Sequence, residues 1–209
     1  MIEPYILGLW LGDKYWWGSS IGLTNTNMNL IKVFRNFLEK LGFPKERIKL
    51  SVYHKDQVID ESELAKKLNI HLENIKVHKF KKGKKVYFII YVNSRPLKRI
   101  FYSMASNLEN CIKNYKGLLM YITGRFDSDG WLNKKYPEVR ISYTTEEEAR
   151  KDANLIEKFL SIKPRVRFEK YSNTWIINMK GKIWLQFIKD ILKFSNRDFL
   201  RQSHRQLVP

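Results

Sequence analysis

Cysteine is almost absent. The single Cys111 in 209 residues excludes an internal disulfide and fits a reducing, intracellular and cytoplasmic setting. Histidine is scarce too: His54, His71, His78 and His204 lack zinc-ligand spacing among themselves or with Cys111, which excludes a structural zinc site. The apolar run from Tyr5 to Leu11 is far shorter than the roughly 20 residues of a membrane span. No basic residue precedes it, so neither a signal peptide nor a membrane partner is expected. Carboxylates are the last shortage: 21 Asp and Glu face 39 Lys and Arg, a formal net charge of +18. Such an imbalance calls for a polyanionic partner.

What the chain does have is one pattern written twice. Ile122-Thr123-Gly124-Arg125-Phe126-Asp127-Ser128-Asp129-Gly130 has a weaker counterpart in Ile6-Leu7-Gly8-Leu9-Trp10-Leu11-Gly12-Asp13-Lys14. In each, a Gly approached from an apolar run is followed five residues later by an Asp. Pro4 suits the first turn of a helix running to Asp13, and Asn114 suits the cap of the second motif helix. Gly8 and Gly12 fall on one helix face, where small residues let another backbone come close.

The intervening elements also recur. Apolar spacing predicts a helix over 29–41 and another over 145–160. Residues 19–24, 47–53, 86–92, 135–143, 165–171 and 174–179 read as strands. Helices are expected around 61–68, from Pro96 to about 107, and over 183–194; the tail from 196 has no clear period. From Asp13 to Asn29 and from Asp129 to Thr145 the separation is 16 positions in each case. The later strands fall out of step, so the first half carries an insertion at about 55–85. Each half then reads helix, two strands, helix, two strands, helix.

With these residues in place, the sequence resembles the single-chain LAGLIDADG homing endonucleases, most closely at Ile122 to Gly130. The resemblance implies an α+β fold: two αββαββα repeats, over 1–112 and 113–209, with motif helices packed at a pseudodyad and two saddle-shaped antiparallel sheets. It implies a monomer that makes a metal-dependent double-strand break in a long asymmetric DNA site, intron-encoded or free-standing, with intron RNA as a further partner. The family's essential acid matches Asp13 and Asp129. Two or three Mg2+ ions shared between them, beside Gly12 and Ser128, are expected, because oxygen ligands with bound water suit that hard cation. The family's catalytic lysine is sought at Lys113, Lys116 and Lys193.

Polar strand faces supply candidate DNA contacts. Arg47, Lys49, Ser51 and Tyr53 alternate with Ile48, Leu50 and Val52. Arg140 and Ser142 lie in the second half, as do Arg165, Arg167 and Glu169, which alternate with Val166 and Phe168. These residue types read base edges in a major groove, which a β-ribbon can enter. Lys79, Lys82 and Lys84 suit phosphates. A calcium loop is excluded, because Trp131 and Leu132 occupy the positions after Asp127 and Asp129 where an oxygen ligand and a Gly are needed. The competing expectation is a LAGLIDADG protein that binds without cutting, as an RNA maturase or a DNA-binding regulator. It draws on Leu11 and Lys14, which depart from the motif at the first acid and the closing Gly.

Overall fold

The computed structural model describes residues 2–80, 85–133 and 135–197. Within these, two compact units form: one inside 13–103, the other made of 2–12 and 104–197.

The 13–103 unit begins where helix α1 (Pro4–Asp13) ends. Strands β1 (Lys14–Tyr15) and β2 (Ser20–Asn25) make a hairpin, and helix α2 (Met28–Lys40) follows. Asn27 caps α2 by accepting from the Asn29 N–H, and Leu30, Ile31, Phe34 and Leu38 are fully buried along one stripe. Pro44 then opens a 3-10 turn holding Arg47, and β3 runs Lys49–His54. The strand expected from residue 47 thus starts two residues later, because the Ile48 N–H is taken by Lys45 O. Next come α3 (Glu61–Leu68), β4 (Ile75–Lys79), β5 (Tyr87–Asn93) and α4 (Arg95–Ser106).

The strands stand in the order β1-β2-β5-β3-β4. The expected antiparallel sheet has one parallel pair, β3 with β4. The insertion explains it: α3 lies between these strands as a crossover, and a crossover returns the chain in its original direction. The inserted residues therefore add one strand to a sheet edge and leave the repeat's own strands in place. Phe34 and Phe37 of α2 meet Phe101 of α4, over a core that includes Leu23, Leu50, Val52, Ile90 and Val92.

The other unit holds α1, the short α5 (Leu108–Cys111), α6 (Tyr115–Asp129), β6 (Gly130–Asn133), β7 (Glu138–Tyr143), α7 (Glu146–Leu160), β8 (Arg165–Glu169), β9 (Thr174–Lys180) and α8 (Leu185–Phe194). Its sheet, β6-β7-β9-β8, is antiparallel throughout. Asn114 and Thr145 cap α6 and α7 with side-chain oxygens, and Glu146, Glu147 and Glu148 meet the positive end of α7. From α6 onward the order is αββαββα, and the first half repeats it with α3 and β4 added. Strand β6 has no signal of its own in the sequence, since four residues opening on glycine are too few to alternate. Phe168 is 45% exposed, because β8 is the sheet's edge strand. Among the described residues no helix is long and apolar enough to cross a membrane.

Candidate functional site

The two motif helices touch backbone to backbone. A Cβ at Gly124 would lie 2.1 Å from Tyr5 O, one at Gly8 2.1 Å from Tyr121 O, and one at Gly12 1.8 Å from Ser128 Oγ. None of these distances is open to a real side chain, so glycine is required at all three positions. The Ser128 hydroxyl turns back to its own helix and donates to Arg125 O at 2.8 Å.

This packing puts the two acids of the second motif in different surroundings. Asp127 is buried and saturated: it accepts from the Tyr5 hydroxyl of α1 (2.7 Å), the Asn196 N–H (2.7 Å) and the Ser195 hydroxyl. Burial pushes its carboxyl above the ordinary value, and these donors oppose that rise. It binds α6 to α1 and to the segment after α8. Leu11 stands at the same place in the first motif, so that half dispenses with such a clamp.

Asp129, two residues on, accepts no hydrogen bond among the described residues, although it is largely buried. Loss of solvent raises its carboxyl to about 6, against the pull of Arg125 and Arg197. It also sits at the negative end of α6, an unfavourable place for a carboxylate. Arg197 offsets that end of the helix by donating to Asp127 O (2.6 Å), Ser128 O (2.7 Å) and Gly130 O (2.8 Å). In the 13–103 unit, Asp13 differs, for its Oδ2 accepts from the Asn25 side-chain amide.

Arg125 has an apolar counterpart, Leu9, in the first motif. It is 2% exposed, lies 3.3 Å from Asp152 Oδ2 and stacks over the Tyr143 ring at 4.3 Å. Asp152 also accepts from the hydroxyls of Tyr121 (2.8 Å) and Tyr143 (2.9 Å). A buried charge with this many partners is held in one geometry.

The sequence-derived lysines are scattered. Lys116 is in the first turn of α6, 13 residues before Asp129, or about 20 Å at 1.5 Å per residue, and Lys113 lies beyond it. The helix therefore does not bring them to Asp129. Lys193, in the last turn of α8, comes two residues before Ser195 and hence close to the Asp127 clamp.

The DNA-contact candidates of the second half do share one sheet face. Cross-strand pairing lines up Trp131, Arg140, Asn178 and Arg165 in one row, and Ser142, Ile176 and Arg167 in the next. Arg140 stacks on Trp131 at 4.8 Å and pairs with Glu138 at 2.7 Å. Arg167 bonds Glu169 at 3.2 Å. Hydrogen-bonding partners thus hold these side chains in fixed directions.

On the other sheet, Lys49 and Tyr53 share a face with Ser51, but Ser51 is only 7% exposed because Ile89 and Lys76 flank it. Arg47 lies outside the strand, donating to Asn93 O. Lys79 is exposed and 3.7 Å from Asp56. Lys82 and Lys84 lie outside the described residues. Tyr53 is stacked between His78 (4.6 Å) and Tyr87 (4.8 Å), a grouping made by strand pairing across the insertion and invisible in the order of the residues. Asn25, Ser195 and Arg197 were equally hidden, since a lone polar residue outside a periodic segment carries no signal.

The backbone as a whole matches known structures. The homing endonuclease I-DmoI in complex with DNA and Ca superposes with a TM-score of 0.61 at 16% identity, over 97% of this chain and 96% of that one. This chain has the LAGLIDADG fold. The N-terminal LAGLIDADG domain of DUF199/WhiA is similar with a TM-score of 0.56 at 15% identity, covering 90% of this chain and 79% of that domain. Full-length DUF199/WhiA from Thermatoga maritima gives 0.58 at 14% identity, with 97% of this chain on 58% of that one. No family model and no curated protein matches the sequence. In this LAGLIDADG fold the glycine contacts of α1 and α6 are the structural reason for the motif, and Asp129 is the part of it that the packing leaves unsatisfied.

Proposed function

We propose that the chain is a divalent-metal-dependent endodeoxyribonuclease of the homing type, making a double-strand break in a long asymmetric DNA site. The observation that carries this reading is Asp129: a largely buried carboxylate without a hydrogen-bond donor, beside an acid that has three. Burying a charge without a partner is costly, and a cation is the partner that fits. Support also comes from structures of the same fold, in which I-DmoI variants are in complex with their target DNA in the presence of Mg or Mn.

In this reading Asp129 and Asp13 are the metal-holding acids of the two halves. A divalent ion there would supply charge stabilisation at a phosphate and an activated water. The Ser128 carbonyl already accepts from Arg197, which leaves it one lone pair at most for an ion. Arg125 and Arg197 keep the carboxylate of Asp129 from being still harder to ionise. The row of Arg140, Asn178 and Arg165, with Arg167 beside it, reads base edges. The inserted strand β4 makes the two halves unequal and the site asymmetric.

A second reading has its own observation. Asp13 Oδ2 is occupied by the Asn25 amide, Lys14 follows directly, and a WhiA domain has the same fold. On that view the chain binds nucleic acid without cutting it, as a DNA-binding regulator or an RNA maturase.

The deciding experiment selects bound duplexes from a randomised library and incubates them with protein in Mg2+ or in EDTA. Breaks in both strands that need Mg2+ and disappear with Asp129→Asn are expected. Selected duplexes that remain intact in Mg2+ would sink the nuclease reading and leave the binding one.

A further inference from the structure

Outside the motif and the sheet faces, the 13–103 unit has a groove of about 390 Å³ lined by Gly18, Arg95, Lys98, Arg99 and Tyr102. We propose that it binds a single nucleic-acid strand, with phosphates on Arg95 and Arg99 and an unpaired base on the indole of Trp16.

The sequence sets up the charge. No acidic residue occurs between Asp13 and Glu39 or between Glu73 and Glu109, so both segments that build the groove are purely cationic. Arg95, Lys98, Arg99 and Tyr102 recur at the spacing that puts them on one side of α4, opposite the buried Leu97 and Phe101. Three cations on one helix face repel one another and invite an anion. Among the described residues Arg95 and Arg99 enter no ion pair.

The fold then fixes an aromatic wall beside these cations. Lys98 Nζ donates to Gly18 O at 2.8 Å and stands 5.5 Å over the Trp16 ring, tying the β1–β2 turn to α4. Gly18 makes that turn in the left-handed region, at φ 55°. The result is a pair of indoles held at the surface: Trp16 is 53% exposed and Trp17 79%. An exposed indole held against Lys98, beside the helix face that carries Arg95 and Arg99, matches a phosphodiester chain with its bases unstacked, where rings stack on rings and guanidinium groups meet phosphates. A duplex keeps its base faces covered, so the indole favours an unpaired strand. The groove's volume is near the low end of small-ligand sites, roughly 300–1,000 Å³, which suits one or two nucleotides.

The proposal shares only its ligand class with the nuclease reading, and its test is run in EDTA, so each can fail without the other. Binding of a fluorescein-labelled oligothymidylate is followed by anisotropy over a range of NaCl concentrations. Arg95→Gln with Arg99→Gln should weaken binding about tenfold and lower the slope of log K against log salt by about 1.4, at roughly 0.7 per phosphate. Trp16→Ala should weaken it by about tenfold with the slope unchanged, and Trp16→Phe should restore most of that loss. Duplex binding should change less than about threefold in all three variants. The proposal is overturned if the double arginine variant or Trp16→Ala binds the oligonucleotide as the parent does. It is equally overturned if the duplex loses as much affinity as the single strand, or if polyglutamate at equal charge displaces the oligonucleotide.

Discussion

Tyr5 and Asp127 stand 122 residues apart in the chain and are joined by a hydrogen bond of 2.7 Å. Through it the first helix of the protein grips the second motif helix. Tyr5→Phe removes a donor from a buried carboxylate and should cost about 1–3 kcal/mol. Urea unfolding measures this, and a midpoint equal to the parent's would show that the Ser195 and Asn196 donors suffice alone.

Gly124→Ala should be worse. Its Cβ would meet a backbone oxygen at 2.1 Å, and neither helix has a flexible side chain there to move aside. Overpacking costs about 1–3 kcal/mol where side chains can yield; with backbone on both sides, about 3 kcal/mol or more is expected. A thermal midpoint within a degree or two of the parent's would contradict the close packing of α1 on α6.

Asp129 makes stability depend on pH in an unusual direction. Its carboxyl is raised from 3.8 to about 6, chiefly by burial. The folded chain therefore keeps a proton that the unfolded chain has lost, so this residue lowers stability progressively as pH rises from about 4 to about 6 and keeps it lowered above that. Two pH units correspond to about 3 kcal/mol. In EDTA, Asp129→Asn should stabilise the protein by about that amount at pH 8 and by almost nothing at pH 3.5. A gain from the substitution that is the same at both pH values would refute the burial argument.

Arg197 closes the end of α6 with three charged hydrogen bonds. Arg197→Gln should lower stability by about 2 kcal/mol, allowing for partial replacement by water, and reduce Mg2+-dependent cleavage by loosening the helix end that carries Asp129. Unfolding and cleavage measured on one preparation test both effects; intact values for both would mean the cap is dispensable.

Asp152 and Arg125 form a buried pair, so removing one partner should hurt more than removing both. Asp152→Leu should cost about 3–5 kcal/mol by stranding the guanidinium. Adding Arg125→Leu should recover part of it. Additive losses in the double-mutant cycle would show that the two side chains act independently.

Much of the fold was open to reading because it rests on local rules. The α2 stripe of Leu30, Phe34, Phe37 and Leu38 follows helical period, Asn114 and Thr145 cap as their chemistry dictates, and two glycine-to-aspartate stretches with equal spacing to the next helix reveal the repeat. Asp129 could be chosen by motif, but not its lack of donors, which depends on how the neighbouring chain runs. Alternation put Phe168 on the face opposite Arg165, Arg167 and Glu169 but left its exposure open, because it marks the faces of a strand and not which strand lies at the edge. The parallel β3–β4 pair was missed for a related reason: residues 61–68 announce a helix, but the strand after it and the partner of that strand are chosen by tertiary pairing.

The sequence by itself determined the two αββαββα repeats, the cationic surface and the glycines that let two helices meet, since periodicity, charge and the lack of a Cβ are properties of single residues and their spacing. Tertiary structure alone decided that Asp127 is satisfied and Asp129 is not, that Arg197 caps α6, and that Trp16 stands under Lys98 of α4. Those outcomes depend on distances between residues far apart in the chain, and a hydrogen bond or a desolvated charge exists only when the fold has set them.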